Sequence, residues 1–217
     1  MSSPIGLAST HVQGRRNSGL TVGSWLLNQL LLLCVGFLAV ACPATHAGSI
    51  TREVYSNIGG NAISDLISSP NYPNAPSETS ELTDFFEAPT DVAEAYGQRV
   101  RGYIVPPVTG DYTFWIASDD NGALYLSTDS NPANKQLIAQ VTGWTSPRQW
   151  DVEAAQRSAS IRLEASRAYY IEALMKEGGG GDNLAVRWLR PDGLDEGPIP
   201  ATYLLSAKTL FTKPKFT

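Results

Sequence analysis

The chain has 217 residues, 42% of them hydrophobic and 17% charged, which suits one sizeable folded domain and excludes a disordered polymer. Its 16 Lys and Arg residues face 21 Asp and Glu, and Arg15 and Arg16 are the only charged residues before Gly48, so the remainder carries 14 basic against 21 acidic groups. An acidic surface without basic clusters argues against nucleic acid and anionic membranes as partners.

Residues 1–47 read as a signal peptide. Arg15 and Arg16 form a basic start, and Leu30 to Ala41 is an uncharged apolar run. Its dozen or so residues suit a signal core, whereas crossing a bilayer takes roughly 20. Small residues at Ala44 and Ala47 offer a cut after Ala47. Other readings of the same stretch are an uncleaved anchor over Trp25 to Ala41, a twin-arginine signal at Arg15-Arg16, and a lipoprotein box at Ala39 to Cys42. Each implies export. Cys34, Cys42, His11 and His46 all fall inside this leader and are the chain's only cysteines and histidines. The remainder therefore has no disulfide, no Cys or His nucleophile, no His base and no zinc site built on those residues. Its metal ligands could only be oxygens, which favour calcium over transition metals.

Past Ala47 the chain is punctuated by Gly, Pro, Asn and Asp, and its dominant period is two. Ile63 to Ile67 predicts a single helical turn, Asn71 to Pro76 a proline-rich loop, and Thr90 to Tyr96 a short helix capped by Thr90. Val100 to Val105 predicts a strand closed by the turn Pro106 to Gly110. Tyr112, Phe114 and Ile116 share a face of the next strand, and Leu124 to Leu126 repeats the alternation. Asn131 to Trp150 reads as a long loop. Further strands are predicted at Ile161 to Glu164, Tyr169 to Leu174 and Leu184 to Trp188, with an irregular loop at Gly178 to Gly181. This pattern is all-β: an antiparallel β-sandwich or barrel with one or two short helical turns. The domain spans 48–205, and 206–217 is a C-terminal tail or linker.

Several landmarks together resemble one family. These are Arg52 to Tyr55 followed by Gly59, Arg99 to Ile104, and Gly110 to Gly122 with Leu124 to Leu126. Tyr169 to Ala173 follows, and then a glycine-rich loop ending in Asp182-Asn183 before Leu184 to Trp188. In this order and spacing they resemble PA14 domains, which occur in bacterial toxins, glycosidases and fungal adhesins. The resemblance covers roughly residues 51–205 and implies an exported bacterial PA14-domain protein.

Adjacent carboxylates at Asp119 and Asp120 repel unless solvated or paired with a cation, and in regular strand geometry they would point to opposite faces. Asp119-Asp120-Asn121-Gly122 is also good turn chemistry, which would leave a solvated pair. In metal-binding PA14 domains the matching pair is joined by a cis peptide that turns both carboxylates to one side. The resemblance then implies a calcium site from Asp119 and Asp120, the side chain of Asn183 and backbone carbonyls such as those of Asp182 or Leu184. A calcium ion with open positions could take vicinal sugar hydroxyls, so Asp119, Asp120, Asn183 and an aromatic platform at Trp144 are the expected ligand-binding residues. Tyr125 and Trp150 are further aromatic candidates.

The expected function is an exported, calcium-dependent, adhesin-like carbohydrate-binding module that is not an enzyme. A structural or protein-interaction module of a larger surface protein is the alternative. A glycoside hydrolase is disfavoured, because it needs two acids several ångströms apart across a cleft rather than an adjacent pair.

Overall fold

The computed structural model describes residues 48–208; the leader and residues 209–217 lie outside them. The described chain forms two antiparallel sheets packed face to face. The larger sheet has the order β2 (Glu78–Leu82), β1 (Ile50–Tyr55), β3 (Tyr96–Ile104), β8 (Tyr169–Glu177), β5 (Asn121–Ser127), β6 (Lys135–Val141), with β11 (Leu204–Ser206) also paired to β3. The smaller sheet has the order β10 (Asp195–Glu196), β9 (Asn183–Leu189), β4 (Gly110–Asp119), β7 (Ile161–Leu163). One short helix, α1 (Ile63–Ile67), lies in the β1–β2 connection.

Alternation dictates what each strand buries. Tyr112, Phe114 and Ile116 from β4, and Leu184, Val186 and Trp188 from β9, point into the space between the sheets. There they meet Ile171, Ala173 and Met175 of β8 and Leu124 and Leu126 of β5. The Trp188 ring is fully buried, with its centroid 5.0 Å from that of Tyr112 and 5.3 Å from that of Tyr203. Its indole N–H donates to Glu196 Oε2 at 2.7 Å, satisfying the one polar atom the ring carries inside.

The larger sheet is covered on its other face as well. Tyr55, Ile58, Leu66, Ala123 and Leu174 form a second apolar cluster beneath the β1–β2 connection. Consequently β8 is buried at all nine positions. Glu172 on that face is held by the Lys135 ammonium and by the Tyr170 hydroxyl, and Glu53 by Arg99 and Arg101.

Two expected elements differ. Thr90 to Tyr96 contains no helix: Asp91 and Ala95 adopt left-handed φ values of 54° and 51°. The amides a helix would use are taken from outside, as Val92 N–H and Ala93 N–H donate to the Asp182 carboxylate and Ala95 N–H to Gly178 O. The expected loop Asn131 to Trp150 contains β6, an edge strand paired to β5 through a register shift between Leu124 and Tyr125. The bulge displaces the simple alternation that would have marked the pair. At the C-terminal end, β11 runs one residue past the expected boundary, to Ser206.

Candidate functional site

Four strand ends meet at one corner of the sandwich. β4 ends at Asp119 and β5 begins at Asn121, with Asp120 between them. The Asp119–Asp120 peptide is cis. Gly122 lets the two strands close here, because a Cβ at that position would lie 2.5 Å from Cβ of Ser118. β9 begins opposite, with Asn183 in register with Asp119. β8 ends at Glu177, whose parity places it on the face that Ile171, Ala173 and Met175 present to the core. The carboxylates of Asp119, Asp120 and Glu177 each bring an oxygen within 4.8 Å of the others.

The hydrogen bonds at this corner are incomplete in an informative way. Asp120 N–H donates to Glu177 Oε2, and Gly178 N–H donates to Asp120 Oδ2, both at 3.0 Å. Glu177 Oε1 is buried with no hydrogen-bond partner. The Asn183 amide nitrogen donates to Thr145 O at 2.7 Å, which fixes the amide orientation, and its Oδ1 is likewise buried and unpaired. None of the ion pairs among the described residues involves Asp119, Asp120 or Glu177. Lys176, next in the chain, turns its ammonium to Gly60 O and Glu177 O instead.

Burial, reinforced by the Asp120, Asp182 and Asp91 charges, pushes the Asp119 carboxyl up to about 6. Burial and then the Asp120 charge push Glu177 up to about 7. A corner with carboxylates that resist ionisation, two orphaned buried acceptors and no paired cation has the donor set of a hard, oxygen-preferring ion. Calcium fits this set, with Asp119, Asp120, Glu177 and Asn183 Oδ1 as the side-chain oxygens.

The electrostatics give a signed expectation for the metal-free protein. Both carboxyls titrate above their unfolded values of 3.8 and 4.5, so the native state holds extra protons between about pH 4 and pH 7. Their contribution therefore becomes destabilising as pH rises through that window and is absent below it. In chelator, the stability difference between Asp119→Asn and the wild type should widen in favour of the variant from pH 4 to pH 8. Denaturant unfolding at a series of pH values measures it, and a constant difference would refute the assignment.

Of the other expected ligands, Asp182 and Leu184 lie beside the corner with some of their oxygens engaged, while Asp182 Oδ1 is buried and unpaired like Glu177 Oε1 and Asn183 Oδ1. Asp182 Oδ2 accepts from Val92 N–H at 2.6 Å and Ala93 N–H at 3.1 Å, and its carbonyl accepts from Asp91 N–H. The Leu184 carbonyl accepts from Ala88 N–H at 2.9 Å. These two residues fix the segment 88–93 against β9. The glycine-rich loop is pinned as a rim: Gly180, at φ 122°, donates its N–H to Glu94 Oε2.

Trp144 is 62% exposed and precedes Thr145, whose carbonyl accepts from the Asn183 amide. Its loop is anchored on both sides. Thr145 Oγ1 accepts from Ser118 N–H, Thr145 N–H donates to Ser118 O, and Glu153 accepts from the amides of Thr142 and Gly143. Tyr125 belongs elsewhere, against the second apolar cluster and under Lys135. Trp150 is also away from the acid pair, lining a pocket with Trp115 and Arg187.

The family model for the PA14 domain matches residues 69–201. The chain belongs to the PA14 domain family. Among relatives, it is 36% identical over 146 residues to mouse N-acetyl-beta-glucosaminyl-glycoprotein 4-beta-N-acetylgalactosaminyltransferase 1, an alignment covering 65% of this chain and 14% of that protein. The chain spans between 2% and 14% of the curated relatives it matches, all mammalian, which lend no support to a bacterial source. Among solved structures, the PA14 sugar-binding domain of an RTX adhesin superposes with a TM-score of 0.54 at 11% identity, over 74% of this chain and 99% of that one. The A domain of Candida glabrata epithelial adhesin 9, in complex with Galb1-3GlcNAc, gives 0.51 at 14% identity, over 75% and 90%. These likenesses confirm the all-β PA14 fold.

Within this PA14 domain, Glu177 and Thr145 are site residues that the sequence pattern did not single out. A signal for Glu177 existed: extending the period of β8 from Ile171 through Met175 puts a carboxylate on an apolar face immediately before the glycine-rich loop. Thr145 left none, since its part depends on a loop folding back onto Ser118.

Proposed function

We propose that this PA14 domain is a non-catalytic, calcium-dependent carbohydrate-binding module that works outside the cytoplasm. The observation that carries the reading is the convergence of Asp119, Asp120 and Glu177 with the unpaired Asn183 Oδ1 on one partly open corner. When bound, calcium supplies coordination positions that vicinal sugar hydroxyls can occupy. The chain's own groups supply the rest. Asp119 and Asp120 are both partly exposed and accept hydrogen bonds from hydroxyls, while Glu177 is fully buried and acts from below. Trp144 offers an aromatic face for the apolar side of a pyranose. The Gly178 to Gly181 rim and the Trp144 loop bound the corner on two sides.

Supporting the ligand class, the structural neighbours include a domain named as sugar-binding and an adhesin domain in complex with a galactose-containing disaccharide. The mouse relative is by its name an enzyme that handles glycans. No helix among the described residues is long and apolar enough to cross a membrane. The non-catalytic part rests on chemistry: residues 48–217 contain no His or Cys, and the acidic corner gathers its carboxylates on one side, where a glycosidase sets two acids across a cleft.

A glycan array probed in calcium and again in EDTA tests this reading. Binding in calcium that falls when Asp120→Asn replaces the wild type is expected. Failure of every glycan to bind in calcium would overturn it and favour a structural or protein-interaction role. Trp144→Ala should weaken glycan binding about tenfold while leaving calcium affinity unchanged, as loss of a stacking face does. Calorimetric titrations of calcium and of a glycan identified on the array measure the two separately, and equal glycan affinities would remove Trp144 from the site.

A further inference from the structure

We propose that the outer face of the four-stranded sheet carries a second saccharide site, specific for neutral sugars and independent of calcium, built from Trp115, Trp150, Arg148, Arg187 and Asp151. It is a different site from the acidic corner and does not rest on that reading. A pocket of about 460 Å³ opens here, within the size range of small-molecule sites. Trp115 and Arg187 face it because their neighbours Phe114, Ile116, Val186 and Trp188 take the core side of the same strands.

The pocket is rigid by construction. Its wall is the segment between β6 and β7, and the fully buried Gln156 side chain fastens that segment to the sheet. Gln156 Nε2 donates to Ile116 O and Gln149 O, and Gln156 Oε1 accepts from Val152 N–H and Glu153 N–H. Ser158 continues the fastening, bonding both to Phe114 N–H through its Oγ and to Phe114 O through its own amide. A bridge between Trp115 and Arg157 then fixes Arg157 beside the ring. The Arg187 and Arg157 guanidinium carbons lie 4.5 Å and 5.4 Å from the Trp115 ring centroid.

Charge decides the ligand class. Arg148 is held by both oxygens of Glu87, at 2.7 Å and 2.6 Å, and Arg187 by both oxygens of Asp195, at 2.7 Å and 2.5 Å. Each cation is thus neutralised before a ligand arrives. Asp151, also in the lining, makes no hydrogen bond or ion pair with the described residues. The lining therefore presents N–H donors, one free carboxylate acceptor and indole surface, with no unpaired cation. An anionic ligand would meet Asp151 and find both lining arginines already paired. A neutral polyol matches, because its hydroxyls both donate and accept and its ring C–H face suits an indole. Asp151 is the one carboxylate among the described residues that line this pocket, too few to hold a metal, so binding here does not need calcium.

The test is the array of neutral glycans probed in EDTA with wild type, Asp120→Asn, Trp150→Ala, Trp150→Phe and Asp151→Ala. The wild type and Asp120→Asn should bind neutral glycans in EDTA. Trp150→Ala and Asp151→Ala should each lower that signal about tenfold, and Trp150→Phe should restore much of it. Asp151 is exposed and without a partner, so its variant keeps the test decisive if Trp150→Ala fails to fold. Glycan binding seen only in calcium, or undiminished by both Trp150→Ala and Asp151→Ala, would overturn the second site while leaving the acidic corner intact. Binding that persists in EDTA with none added by calcium would do the opposite. Capture of a peptide library in EDTA without any glycan signal would also overturn it, in favour of a peptide groove.

Discussion

Asp119→Asn should raise the melting temperature of the metal-free protein and, in the same experiment, abolish the stabilisation that calcium gives the wild type. The two effects have one cause. Asp119 titrates up to about 6 because burial and the charges of Asp120, Asp182 and Asp91 all oppose its ionisation. At pH 7 and above the folded domain must nevertheless hold that charge, and no described ion pair compensates for it. Removing the charge relieves the repulsion. With calcium present the same charge becomes favourable, and binding to the native state alone stabilises by mass action. At a hundredfold excess over Kd that gain is about 2.7 kcal/mol, or roughly 5–10 °C for a domain of this size. Scanning fluorimetry of both proteins in chelator and in calcium gives all four values. A variant that melts lower than wild type in chelator, or that keeps the calcium increment, would show that Asp119 does not act as assigned.

The second large effect concerns the frame that brings the corner together. Trp188→Ala should cost about 3–5 kcal/mol, as removal of a fully buried large aromatic does. The ring fills the space between Tyr112, Phe114 and Tyr203, and its N–H bond to Glu196 is lost with it. That is a large share of a typical domain's 5–15 kcal/mol, so the melting temperature should fall by roughly 6–20 °C. Trp188→Phe, which keeps most of the apolar volume, should lose much less. Trp188 lies near the far end of β9 from Asn183, so the calcium increment should add to the loss without altering it. Equilibrium unfolding in urea, with and without calcium, measures both terms. A cost below about 1 kcal/mol would mean that the sandwich core is not packed around this ring.

How much of this was legible beforehand differed from strand to strand, for physical reasons. β4 buries one face and leaves Asp111, Thr113 and Trp115 of the other at least partly accessible, so Tyr112-Thr113-Phe114-Trp115-Ile116 alternates openly and was readable as a strand. β8 is buried on both faces, by the core on one side and by the helix-bearing connection on the other. Its alternation is therefore one of kind rather than of polarity, and its last three residues, including Glu177, could not be told from a loop. β6 hides behind a bulge, and the Thr90 to Tyr96 helix failed because Asp182, almost ninety residues away, takes its amides.

The corner itself was half legible. Asp119, Asp120 and Asn183 were expected, the last through family resemblance, and the register of β4 with β9 places Asn183 directly opposite Asp119. Trp144 was expected near the ligand, and its neighbour Thr145 bonds both Ser118 and Asn183, which ties this loop to the corner. Asp182 was expected as a metal ligand; one of its carboxylate oxygens shapes the adjoining segment and the other is buried and unpaired. A carboxylate's identity is visible in sequence, but which oxygen remains free depends on amides contributed by distant parts of the chain. The same limit hid the Trp115 and Trp150 pocket, whose wall exists only because Gln156 is buried.

Calorimetric titration of calcium into chelator-stripped protein tests the central claim most directly. A single saturable site is predicted, lost in Asp120→Asn and weakened in Asn183→Ala, with both variants still folded. Absence of a saturable heat in the wild type, or binding that survives both substitutions, would contradict a calcium centre at the Asp119–Asp120 corner.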